Sequence, residues 1–132
     1  MKLDSDPIFP APTRSGGLTC YAEVILNKAE ALARLNRLGE AVTAYNAVRV
    51  RAGLLPHVFG TDVTSQTDVL NAIWNERRLE LALEGDRWAD LVRTGRAMSV
   101  LGLAPDRAFQ QLYPIPAREL IVSTGLTQNP GY

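Results

Sequence analysis

Two apolar stretches with helical period, separated by a short turn, constrain this chain more than any other feature. From Leu18 the sequence reads LTCYAEVILNKAEALARLNRLG. Apolar side chains fall at Tyr21, Val24, Ile25, Ala29, Leu32 and Leu35, with the stem of Lys28 between them. That period, near 3.6, predicts a helix over about 19–36. The next stretch, EAVTAYNAVRVRA, places Ala41, Val42, Ala44, Tyr45, Val48 and Ala52 on one stripe. It predicts a second helix from about Glu40 to Ala52, stopped by Gly53. Asn36–Gly39 forms the turn, and Gly39 is expected to supply the positive φ that ends the first helix. Helices joined by so short a turn pack as an αα-hairpin.

The order Gly39, Ala41, Tyr45 resembles a tetratricopeptide repeat. The small alanine lets the partner helix approach, and the tyrosine fills the next groove. Such a hairpin cannot bury its own face, and about three are usually needed for a stable stack. No second copy appears at a spacing of about 34 residues. The missing neighbours are therefore other helices of this chain or lie outside it.

Residues 1–17, MKLDSDPIFPAPTRSGG, read as a linker or truncated arm, with three prolines and a Gly-Gly end. GLTC at 17–20 carries the only cysteine, Cys20, and no apolar run precedes it as a cleaved export signal would require. No stretch approaches the ~20 apolar residues of a membrane span. Residues 53–64 read as a loop. SQTD at 65–68 fits a capping box, with Ser65 as N-cap and Asp68 at N3. A third helix should run from there to Leu83 or Glu84, with Val69, Leu70, Ile73, Trp74 and Leu81 apolar and Gly85 as the break. DRWADLVRTG predicts a short fourth helix with Trp88, Leu91 and Val92 inward. Beyond Gly102 the pattern is extended at Tyr113–Pro116, with one helical turn at Ala117–Leu120 and a closing loop.

Chemistry is sparse. His57 is the only histidine and lies in a loop, so no multi-histidine metal site exists. Phosphate-loop, dinucleotide and nucleophile-elbow motifs are absent. Lysine plus arginine and aspartate plus glutamate number 14 each, so no net positive stripe invites nucleic acid. Twelve of the 14 basic residues are arginine, which favours bidentate pairs with carboxylates. The stretch NERRLELALEGDRWADLVR, 75–93, puts Glu76, Glu80 and Glu84 at helical spacing. Facing carboxyls could serve a glycosidase. Neighbouring arginines, however, lower a carboxyl pKa, the wrong direction for a general acid. The stretch reads as a packing element. Leu79, Leu81, Ala82, Trp88 and Leu91 are expected to bury. Glu76, Arg77, Arg78, Arg87 and Asp90 are expected to pair with one another or with nearby loops, the C-terminal segment included. Trp74 reads as core, and Tyr113 as exposed.

Four pieces in order carry a family resemblance: YAEVILNKAEAL with GEAVTAYNAVRVRAGL, then NERRLELALEGDRWADLVRTG, LYPIPARE and GLTQNPGY. Over residues 18–132 the chain resembles the C-terminal region of the SusD/RagB family. The resemblance implies an all-α fold, a tetratricopeptide-like α-hairpin plus a helix–break–helix, with irregular loops and an extended C-terminal segment. It marks Tyr45, Asn75, Glu76, Arg77, Arg78, Glu84, Gly85, Arg87, Trp88, Asp90, Tyr113, Pro114, Pro116, Asn129 and Pro130 as scaffold positions. It assigns no ligand-binding residue here. It implies a protein that is not an enzyme and uses no cofactor. The full-length protein would be lipid-anchored at the outer membrane and bind glycans or other nutrients. Its partner would be a TonB-dependent SusC-like transporter, and this chain would be a fragment of that longer protein. The alternative is a helical-repeat interaction module without a small-molecule ligand.

Overall fold

The computed structural model describes residues 21–132. Expectations for 1–17 and for Cys20 lie outside the described residues. The fold is all-α, and among the described residues an isolated bridge between Phe59 and Val63 stands in place of any strand. The chain divides into two units at Arg77/Arg78.

In the first unit, α1 (Tyr21–Arg34) and α2 (Leu38–Arg51) form the hairpin. The turn is tighter than the sequence suggests. Asn36, not Gly39, takes the left-handed conformation, at φ 61°. The Arg37 N–H reaches Leu32 O at 2.9 Å and the Asn36 N–H reaches Ala33 O at 3.0 Å, a Schellman stop. Asparagine tolerates this conformation better than most side chains, so Gly39 is released into the first turn of α2. The same two-bond stop closes α2 at Gly53.

The buried face of α1 is also rotated from the expected one. Ala22, Leu26, Ala29, Leu32 and Ala33 are buried, whereas Tyr21, Val24 and Leu35 are exposed. From α2, Ala41, Val42, Tyr45 and Val48 close the core. Alanines at 29, 33 and 41 leave room for the helices to approach, and Tyr45 fills the space between them.

The capping box forms as read. Asp68 N–H donates to Ser65 Oγ at 3.1 Å and Ser65 N–H donates to Asp68 Oδ2 at 2.9 Å. It starts α3 (Gln66–Glu80), which contributes Val69 and Ile73 to the hairpin core. Gln66 Nε2 also donates to Ala33 O at 2.8 Å, fixing the start of α3 at the hairpin turn.

In the second unit the chain turns through Leu83 and Gly85, both at positive φ. It then forms α4 (Arg87–Arg93) and α5 (Ala97–Leu101), followed by a 3-10 helix over Pro105–Gln111 and by α6 (Ala117–Val122). The third predicted helix therefore ends earlier than expected, and α5 and the 3-10 helix were not anticipated. Leu81, Leu91 and Ala97 are buried. Leu79 and Ala82 are exposed and Trp88 is half-buried, against the expectation that all three bury. Past Glu80 the residues no longer follow one helical face, so the helix expected to reach Leu83 or Glu84 stops short of both.

Candidate functional site

Two polar clusters, one in each unit, take in Tyr45, Glu76 and Arg77 and, near the C-terminus, Tyr113, Pro114, Pro116 and Asn129. The first is built on α2. Tyr45, Asn46 and Arg49 lie along the side of the helix that meets the 54–64 loop. Asn46 clamps that loop by donating from Nδ2 to His57 O and accepting from His57 N–H, at 2.8 and 2.9 Å. Arg49 Nε donates to Leu55 O at 3.1 Å. The Tyr45 hydroxyl lies 2.8 Å from His57 Nδ1, with the two rings edge to face. Burial pushes the Tyr45 phenol up to about 12; the Arg49 cation opposes the shift, and the carboxylates of Glu76 and Asp62 add to it. At neutral pH the phenol is therefore protonated; a hydroxyl both donates and accepts, so it bonds His57 Nδ1 in either imidazole tautomer. The loop turns on itself through Asp62, whose carboxylate accepts from Val58 N–H at 2.7 Å.

The end of α3 completes this cluster. Glu76, buried, pairs with Arg49 of α2. Arg77, also buried, donates to Asn27 Oδ1 at 2.6 Å and lies 3.9 Å from the Glu23 carboxylate, both on α1. Both residues thus bond to the hairpin. Successive residues on a helix diverge by about 100°, so Glu76 and Arg77 reach different partners. In the row Glu76, Glu80, Glu84, Glu76 is paired with the half-buried Arg49, and Glu84 lies beyond the last residue of α3. Among the described residues no group of three or more His, Cys, Asp or Glu side chains is placed to hold a metal ion.

The second cluster holds the C-terminal segment. Pro114 and Pro116 have no N–H, so residues 112–116 cannot pair as an ordinary strand. Side chains from 128–132 supply the bonds instead. Gln128 acts as a surrogate peptide: its Oε1 accepts from Ile115 N–H at 2.8 Å and its Nε2 donates to Ile115 O at 2.9 Å. Asn129 Nδ2 donates to Tyr113 O at 2.6 Å, and the Tyr132 hydroxyl donates to Leu112 O at 2.9 Å. Tyr132 also packs edge to face on Phe109, with centroids 5.1 Å apart. A Cβ on Gly131 would come within 2.5 Å of the Phe109 ring, so this close approach requires glycine.

Of the remaining motif positions, Asn75, Arg78, Glu84, Gly85, Pro114, Pro116 and Pro130 are exposed, and Arg87 and Trp88 are half-buried. Asp90 is buried and accepts from Arg93 Nε at 2.7 Å. Tyr113 is exposed, as read from its setting. Sequence reasoning missed Asn46, Arg49, His57 and Gln128 as partners. Asn46 and Arg49 carried a signal, being polar at i, i+3 beside the apolar stripe of α2, while His57 and Gln128 carried none.

A model of the SusD family matches residues 20–104. SusD-like protein P38 of Formosa agariphila is 38% identical over 123 residues, covering 85% of this chain and 24% of that protein. SusD-like protein P2 of the same organism is 36% identical over 125 residues, covering 85% of this chain and 25% of that one. The crystal structure of a SusD superfamily protein from Bacteroides thetaiotaomicron superimposes with a TM-score of 0.69 at 32% identity, over 85% of this chain and 25% of its own. The chain spans about a quarter of the length of the curated relatives it matches.

Proposed function

The chain belongs to the SusD/RagB family, matching its C-terminal region, and from that premise we propose that it is the scaffold part of an outer-membrane nutrient-binding protein. In this reading the full-length protein, lipid-anchored at the cell surface, captures a glycan or related nutrient and passes it to a TonB-dependent SusC-like transporter. The family match over residues 20–104 carries the proposal. The geometry supports a scaffold role for this region. Two of its buried charges, Glu76 and Arg77, are bonded into the helical frame, and the amides of Asn46, Gln128 and Asn129 are bonded to its loops. Side chains used in this way hold the frame together and are not offered to a ligand or to catalysis.

Calorimetric titration of the full-length protein and of the 132-residue chain against a panel of plant, algal and host oligosaccharides tests this reading. Binding by the full-length protein alone is expected. Tight binding by the short chain would sink the scaffold assignment, and no binding by the full-length protein across the panel would sink the glycan assignment. Tagged full-length protein extracted from outer membranes should also co-purify its transporter.

One observation favours the alternative of a helical-repeat interaction module: α1 exposes Tyr21, Val24 and Leu35 along one stripe. Among the described residues no helix is long and apolar enough to cross a membrane, so that stripe is not a spanning surface.

A further inference from the structure

The loop that α2 clamps is turned inside out. In its stretch LLPHVF, 54–59, the one polar side chain, His57, faces inward and is half-buried against Tyr45. Leu54, Leu55, Val58 and Phe59 face solvent, Leu55 with 85% of its surface exposed. Water favours the opposite arrangement. The loop keeps it because its backbone is bonded in place. His57 exchanges both backbone groups with the Asn46 side chain, and Arg49 holds Leu55 O. The Asp62 carboxylate holds Val58 N–H, while Val58 O accepts from Asp62 N–H at 2.9 Å. These clamps hold four apolar side chains at the surface within six residues. An exposed apolar patch marks a place of contact when the fold works to maintain it.

The same bonds narrow the partner. An added strand would need a run of unused N–H and C=O groups. Pro56 has no N–H, and the backbone groups of His57 and Val58 are spent within the first unit. A stable interface with a folded protein, or with a second copy of this chain, takes ~800 Å2 from each partner, and these four side chains offer on the order of half of that. A lipid surface sets no such minimum, because each side chain that enters it leaves water on its own account. Lipid also favours a bonded backbone, since an unmet peptide group is costly in hydrocarbon. The flanking charges, Arg51 and Asp62, balance, so headgroup charge is not the attraction. We infer that residues 54–59 dip into the surface of a lipid bilayer. The inference rests on the proposal that the full-length protein is anchored at the outer membrane. A tether raises the local concentration, which makes a weakly partitioning loop effective. A second contact beside the anchor fixes which way the protein faces.

The test places a polarity-sensitive fluorophore on Val58→Cys in the full-length protein, made without its lipid anchor and with other cysteines replaced. Arg107→Cys, exposed on the 3-10 helix, is the control. On adding phosphatidylcholine vesicles, the label at 58 should shift to the blue and be quenched by nitroxide-bearing lipid, while the label at 107 should not change. Mixing in phosphatidylglycerol, or raising the salt, should alter binding by less than about twofold. Leu55→Asp should weaken binding about tenfold, with circular dichroism confirming an unchanged fold. A label at 58 that vesicles do not shift would overturn the inference, as would equal shifts at 58 and 107. So would binding that appears only with anionic lipid. A label at 58 already blue before vesicles are added would assign the loop to a protein partner instead. None of these measurements involves a sugar or the transporter. A loop that stays in water while the full-length protein still binds oligosaccharide would sink this inference and leave the proposed function standing.

Discussion

Replacing Tyr45 by phenylalanine keeps an aromatic ring in a site with no solvent exposure and deletes one hydroxyl. At neutral pH the loss is the hydrogen bond to His57 Nδ1. A neutral hydrogen bond contributes about 0.5–1.5 kcal/mol net, so Tyr45→Phe should be about 1 kcal/mol less stable at pH 7. Alkali reverses the order. The phenol ionises at about 12 in the folded chain and at about 10 when unfolded. Between those values the folded state retains a proton that the unfolded state has released. The phenol's contribution is therefore whole below about pH 10 and is lost as pH rises toward 12. Two units amount to roughly 2.7 kcal/mol, of which about 1 kcal/mol is gone by about pH 10.7. Phenylalanine has no proton to lose. The two proteins should be equally stable near pH 10.7, and the variant should be the more stable at about pH 11.5. Urea unfolding followed by circular dichroism at a series of pH values measures the difference, and the other titrating groups cancel because both proteins share them. A gap that stays near 1 kcal/mol from about pH 7 to 11.5 would refute burial of the phenol as the source of its shift.

Glu76→Ala should cost about 3–5 kcal/mol by stranding Arg49, whereas Arg49→Met with Glu76→Leu should recover most of that loss, both read from urea midpoints. Gly131→Ala should lose about 1–3 kcal/mol through overpacking against Phe109, and hydrogen exchange at the Ile115 amide should quicken as the clasp loosens. Asp68→Asn tests the capping box: hydrogen bonds from the Ser65 hydroxyl and backbone, then from Thr64, hold the Asp68 carboxyl below its ordinary range. The stability it adds is present above about pH 4 and lost as pH falls through the lowered value, so thermal melts of the two proteins should converge in acid; a gap that persists in acid would remove the carboxylate's role.

The hairpin, the capping box and the break at Gly85 were legible because each is local, written within a few residues. The phase of α1 was not. Two stripes on that helix share the helical period, Tyr21–Val24–Lys28–Ala31–Leu35 and Ala22–Leu26–Ala29–Ala33. Periodicity gives the angle between positions, not which face turns inward; the expected stripe holds Ala29 and Leu32 in common with the buried face but takes Tyr21, Val24 and Leu35 in place of Ala22, Leu26 and Ala33. The turn at Asn36 was missed because glycine was preferred wherever one stood nearby. Glu76 and Arg77 were marked as important, yet their partners lie 27 and 50 residues away on other helices, beyond the reach of i, i+3 reasoning. The same holds for Gln128 and Ile115, which meet across 13 residues only because two prolines leave the segment unable to pair.

Those distant pairs explain why a short, alanine-rich hairpin holds α3 in one place. Small side chains make a smooth face, and Val69 and Ile73 alone would tolerate sliding along it. A buried ion pair adds little net stability, because desolvation offsets most of the attraction, but a broken one costs about 3–5 kcal/mol. Any slip or rotation of α3 would strand Glu76 from Arg49 and Arg77 from Glu23 and Asn27 together. The two bonds diverge from adjacent residues to two different helices, so no single shift could preserve both. Register is the use these magnitudes leave for the pair. A frame locked by penalty rather than by gain keeps one geometry even where its apolar contacts are few and small.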